Sequence, residues 1–178
     1  MIIGTGLALL ATLGVGAATI TLGYSVFSNI RPNKGRIAKD IADFKKQLQP
    51  LMTDLVPLNT KEIELLCSEP NITQSKKRVT TTWEGNFKSI YHENMFVFGY
   101  KQYIGKAKTA LIYIKSANHD FVFKTVKEGW EITIDDRLLG IFKSDPQNSQ
   151  VGALFLAKNN KKYATISGED RGPLLKAE

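Results

Sequence analysis

The sequence predicts an α+β chain in three parts: an N-terminal single transmembrane helix, one or two juxtamembrane amphipathic helices, and an antiparallel β-meander forming a small barrel or a curved sheet. Three observations predict it. The run from Ile2 to Ile30 carries no Asp, Glu, Lys, Arg or His. Apolar residues then recur at helical spacing from Ile37 to Leu55, and short alternating runs broken by turn residues begin at Val79. The boundaries read as 1–30 anchor, 31–36 interfacial hinge, 37–70 helical juxtamembrane segment, 71–78 basic linker, 79–168 β-domain and 169–178 C-terminal tail.

The first run is long enough to be a membrane span. A bilayer core of ~30 Å needs roughly 20 apolar helical residues at ~1.5 Å rise each. A cleaved signal peptide fits less well, because no Lys or Arg precedes the run and its apolar part exceeds the usual roughly 7–15 residues. Within the run, Gly4, Ala8, Thr12 and Gly16 recur every fourth position. Residues four apart share one helix face, so this stripe offers a smooth surface to another membrane helix.

Orientation follows from the flanks. Arg31, Lys34, Arg36 and Lys39 crowd the C-terminal side of the run, while the N-terminal side has only the terminal amine. Lys and Arg close to a span are retained on the cytoplasmic side, which predicts an outside N-terminus and a cytoplasmic body in a plasma or bacterial inner membrane. These four residues also predict contact with anionic lipid head groups. Across the chain, 24 Lys and Arg stand against 17 Asp and Glu, a net charge of +7. The surplus is scattered among acids and shows no nucleic-acid-binding motif, so no nucleic-acid partner is expected.

Arg31-Pro32-Asn33-Lys34-Gly35-Arg36 reads as a hinge. The segment Gly35 to Val56 then reads as an amphipathic helix with Ile37, Ile41, Phe44, Leu48, Leu51 and Leu55 on one stripe. Spacings of 4, 3, 4, 3 and 4 are those of a coiled-coil seam, with Asp40 and Lys45 at flanking positions suited to a parallel dimer. Under three heptads is short for a coiled coil, and Pro50 should kink the helix. The other reading of the stripe is that it packs on the domain that follows. Asn59 with Glu62 three residues later is a capping-box start for a second helix ending near Pro70.

From Val79, strands are expected at about 79–84, 87–92, 95–101, 106–115, 121–127, 130–134, 137–143, 152–158 and 161–167. The joints are Gly85-Asn86, Glu93-Asn94, residues 116–120, Glu128-Gly129, Asp135-Asp136 and Asn159-Asn160. Each is short, so neighbouring strands should pair antiparallel. Trp130, Ile132 and Ile134 should face the core, with Glu131, Thr133 and Asp135 facing out. The dozen residues from Trp130 to Phe142, a Trp-x-Ile-x-Ile strand followed by Leu-Leu-Gly-Ile-Phe, are loosely similar to units of tubby-like and scramblase-like β-domains.

Catalytic chemistry is not signalled. His92 and His119 each lie beside a turn, and Asp135-Asp136 is ordinary turn chemistry. Cys67, the single cysteine, excludes an intrachain disulfide and suits a small core residue. Asn71-Ile72-Thr73 is a glycosylation sequon that matters only in a secretory lumen. No catalytic residue, metal or cofactor is expected. The sequence therefore implies a membrane-anchored binding protein whose cytoplasmic β-domain meets a protein or lipid. A homo-oligomer or a subunit of a larger membrane complex is the first alternative, and a tethered enzyme with a pocket in the β-domain the second.

Overall fold

The computed structural model describes residues 34–57, 71–77, 80–103, 109–144, 151–167 and 176–177. The predicted anchor with its Gly4, Ala8, Thr12 and Gly16 stripe, Arg31, the predicted second helix and Cys67 lie outside these residues. Among the described residues, no helix is long and apolar enough to cross a membrane.

Helix α1 spans Lys34–Leu48, followed by a 3₁₀ turn, Gln49–Leu51. The sequence predicted one helix as far as Val56. Pro50 explains the earlier stop, because proline lacks the amide an α-helix interior needs but is tolerated in the opening residues of a new turn, where Gln49 and Pro50 stand. The Met52 amide closes that turn on the Gln49 carbonyl at 3.2 Å. Lys45 and Lys46 occupy the last helical turn, where the carbonyl end of the helix dipole favours cations.

Among the described residues, ten strands follow in one antiparallel sheet, and each pairs with its neighbours in sequence. They are β1 Asn71–Lys77, β2 Thr80–Lys88, β3 Asn94–Tyr103, β4 Thr109–Ser116, β5 Asp120–Val126, β6 Gly129–Ile134, β7 Arg137–Ser144, β8 Val151–Leu156, β9 Lys162–Ser167 and β10 Lys176–Ala177. The meander is as expected, and it is an open sheet with β1 and β10 as its edges.

The pleat sorts side chains onto two faces. On one face, directly opposed partners build two apolar ladders: Phe98, Ile114, Phe121 and Ile134, and beside it Ile112, Phe123 and Ile132. With Phe87, Met95, Phe96, Leu154 and Ala164 they form one buried core that reaches from β2 to β9. A flat sheet would leave such a face wet, so the sheet coils until its strands cover one another. The strand register shifts after Phe87, Ile132 and Leu154, the kind of irregularity at which a strand bends. Trp130 is only half-buried at the margin of this core, whereas Ile132 and Ile134 lie within it.

The opposite face carries a second core. Val97, Tyr103, Leu111, Tyr113 and Val122 meet Phe44 and Leu48 of α1 there. Ile37, Ile41, Met52 and Leu55 pack at its edge.

Three details of the sheet differ from the expectation. The segment 71–78, read as a linker, carries β1, which pairs with β2 from Asn71 to Lys77 although every one of its residues is exposed. The expected turn at Gly85-Asn86 does not form. Strand β2 runs through it because both residues pair with β1 and β3, and the buried Asn86 amide donates to Asn94 Oδ1 at 2.9 Å. The turn falls at Ser89–Glu93 instead, where the Ser89 hydroxyl accepts the amides of Tyr91 and Glu93. Finally, the segment read as a C-terminal tail contributes β10, which pairs with β9 through Lys176 and Ala177.

Candidate interaction surface

Helix α1 determines which surfaces the domain can offer. Of the seam predicted for a coiled coil, Phe44 and Leu48 are buried within the domain, while Ile37, Ile41 and Leu55 lie against the same core. Leu51 points outward, 37% exposed. A second copy of the chain would have to displace the sheet to reach the centre of this stripe. The charges expected to pair across a dimer are also used within the chain: Asp40 and Lys45 each bond to the sheet.

Asp40 forms a buried polar clamp. Its Oδ1 accepts Lys101 Nζ at 2.8 Å, and its Oδ2 accepts the Tyr103 hydroxyl at 2.5 Å. Lys101 also lies over the Phe44 ring, 5.2 Å from its centroid, and Arg36 lies 5.3 Å from that of Tyr103. Helix and strand β3 are thus joined by charge directly beside the apolar contact.

A second network ties the far end of α1 to the sheet. Asp120 is ion-paired with Lys45 Nζ at 3.0 Å and with Lys115 Nζ at 2.9 Å. Its backbone amide donates to Asp135 Oδ1 at 2.9 Å, and Asp135 Oδ2 meets His119 Nδ1 at 2.6 Å. Burial pushes the Asp120 carboxyl up, but its two lysines outweigh burial and hold it below the usual carboxylate range. Asp135 is held low chiefly by the Asp120 amide. Asp135 and Asp136 form a two-residue turn with φ of 48° and 62°, the left-handed pair a type I′ hairpin requires.

The His119–Asp135 contact resembles the base and orienting acid of a hydrolase. The nearby hydroxyl of Ser116 is instead committed to the backbone: it donates to the His119 carbonyl and accepts the His119 amide, both at 3.2 Å. This constellation builds a turn, and the Ser116 hydroxyl is not aimed at the ring. His92 sits exposed in the β2–β3 turn with φ of 63°. Among the described residues, no group of three or more His, Cys, Asp or Glu could hold a metal ion.

What remains is surface. Lys34, Arg36 and Lys39 are exposed on the first turns of α1. Strand β1 exposes Ile72 near its start and Lys76 and Lys77 at its end, and the β2–β3 turn exposes Ile90 and Tyr91. No protein-family model, curated protein or solved structure matches this chain.

Sequence reasoning missed the role of Asp40, although a signal was present. Asp40 lies three residues after Ile37 and four before Phe44, so it shares the apolar face, where an isolated carboxylate is costly unless paired. Its distant partners, Lys101 and Tyr103, carried no comparable mark.

The clamp makes a pH prediction. Burial, then the hydrogen bond to Asp40, push the Tyr103 hydroxyl above the ordinary tyrosine range. Burial does the same at Tyr113, helped by Asp120, and at Tyr100. A group whose folded state holds its proton more tightly contributes stability fully below its unfolded pKa, which is about 10 for tyrosine, and loses it as pH rises beyond. The domain is expected to lose stability above about pH 10. Tyr103→Phe should cost about 1–2 kcal/mol at neutral pH and make the alkaline loss shallower. Denaturation midpoints across the alkaline range check this; an unchanged alkaline slope would remove Tyr103 from the account.

Proposed function

We propose that the chain is a single-pass membrane protein without catalytic activity, which holds its β-sheet domain at the cytoplasmic surface of the bilayer to bind a protein or lipid there. The observation that carries this reading is the uncharged run from Ile2 to Ile30, followed at once by Arg31, Lys34, Arg36 and Lys39. The run has the length a span requires, and the basic cluster has the sign and position that retain a flank in the cytoplasm. The use of Ser116, His119 and Asp135 in turn formation supports a binding role over hydrolysis.

The stripe Gly4, Ala8, Thr12 and Gly16 favours a second reading, in which the same anchored chain is a subunit of a larger membrane assembly. Both readings require the same topology. A reporter fused after Glu178 is expected to be active in the cytoplasm and silent in the periplasm or lumen. Activity on the far side would reverse the orientation, and recovery of the chain in the soluble fraction would remove the anchor.

A further inference from the structure

Strand direction decides which charges share an end of the sheet. Arg36, near the start of α1, lies over Tyr103, the last residue of β3. Thr80, which opposes Tyr103, also opposes Lys77 at the end of β1. Thr109, on the other side of Tyr103, begins β4, and its neighbour Ala110 bonds Thr125 near the end of β5. The turn after β5 carries Lys127. The start of α1, the end of β1 and the β5–β6 turn therefore lie at one pole. From β1 to β5 is four strand spacings, roughly 20 Å.

The acids near this pole have lysines of their own. Asp40 holds Lys101 at 2.8 Å, Glu128 holds Lys143 at 2.6 Å, and Glu131 holds Lys124 at 2.5 Å. Lys34, Lys39, Lys76, Lys77 and Lys127 remain exposed and outside those pairs. Asp43 stands one turn along α1 from Lys39, Glu84 lies half-way up β2 with its pKa raised by burial, and Lys127 adjoins Glu128, which Lys143 already holds.

This pole is also where the described chain begins. Only Arg31-Pro32-Asn33 separates Lys34 from the last residue of the uncharged run. Four Cα steps span at most about 15 Å, less than two Debye lengths at physiological salt.

We propose that Lys34, Lys39, Lys76, Lys77 and Lys127 form a seat on the anionic head groups of the bilayer that the uncharged run enters, so that the sheet stands on the membrane by this pole. The proposal rests on the anchoring reading and adds three lysines, from β1 and the β5–β6 turn, that adjoin the anchor only in the folded chain. Docking by this end turns the β8–β9 and β6–β7 turns away from the membrane, toward a partner.

Lysine acetylation rates test it, with the full chain in nanodiscs of phosphatidylcholine alone or with phosphatidylserine added. A basic residue at an anionic surface contributes about fivefold to binding. With phosphatidylserine, Lys39, Lys76, Lys77 and Lys127 should react at least about fivefold more slowly relative to Lys158 and Lys161, which lie at the opposite pole. High salt should abolish the difference. K76E/K77E should release Lys39 and Lys127, and K161E, read against Lys158, should not. Equal rates in the two lipids, from a chain that stays embedded through a carbonate wash, would overturn the seat and leave the anchor standing. A chain that washes off would overturn the anchor and the seat together. Protection by added RNA, with none by phosphatidylserine, would overturn the seat in favour of a nucleic-acid partner.

Discussion

Replacing Phe44 with alanine is expected to cost about 3–5 kcal/mol, the range for truncating a fully buried aromatic side chain. The residue is wholly buried, and the helix docks on the sheet through it and Leu48. Its ring lies on Gly99 of β3: a Cβ there would come within 2.3 Å of the ring. Glycine is required at that position because the aromatic ring takes the volume any side chain would need. Gly99→Ala alone should therefore push the ring out and destabilise the domain. In the Phe44→Ala background it should cost much less, because the added methyl then enters the space the ring left. Chemical denaturation of the four variants measures this coupling. Additive costs, or a Phe44→Ala loss below about 1 kcal/mol, would mean that the helix is not held by this contact. The same packing implies that a fragment starting at residue 58 exposes Val97, Leu111, Tyr113 and Val122 and associates, whereas one starting at residue 34 does not.

How much of this was legible in the sequence depends on whether the signal was local. The β-meander was legible from Met95 to Lys143, where runs such as Trp130-Glu131-Ile132-Thr133-Ile134 alternate and turn residues separate them. The stripe on α1 was legible as a stripe, but its partner was not. Spacings of three and four fit a second helix or a sheet equally well, and the deciding feature, a glycine opposite Phe44, is 55 positions away along the chain. Strand β1 gave no pattern because neither of its faces is buried; its pairing with β2 alone makes it a strand. Gly85-Asn86 gave a false turn for the converse reason, since pairing on both sides overrode a local preference. Of the basic surface, Lys34, Arg36 and Lys39 could be read as a cluster. Lys76, Lys77 and Lys127 join it only through the topology.

The buried clamp at Asp40 carries an effect of similar size. Asp40→Ala is expected to cost about 3–5 kcal/mol, because it leaves Lys101 charged, 14% exposed and without its carboxylate, and strips the Tyr103 hydroxyl of its acceptor. The ion pair itself stabilises far less than that, since two charges brought out of water regain in mutual attraction roughly what they lost in hydration. Removing both charges distinguishes the two quantities. Asp40→Leu with Lys101→Met keeps the volume, fits the flanking apolar surface of Phe44 and should recover most of the loss. A spectroscopic titration gives an independent readout. Without Asp40, two of the causes that raise Tyr103 disappear and Arg36, which lowers it, remains, so its tyrosinate should form at lower pH than in the wild type. A cost below about 1 kcal/mol for Asp40→Ala, with an unmoved tyrosine titration, would mean that water already reaches the pair and that the apolar contact at Phe44 alone docks the helix.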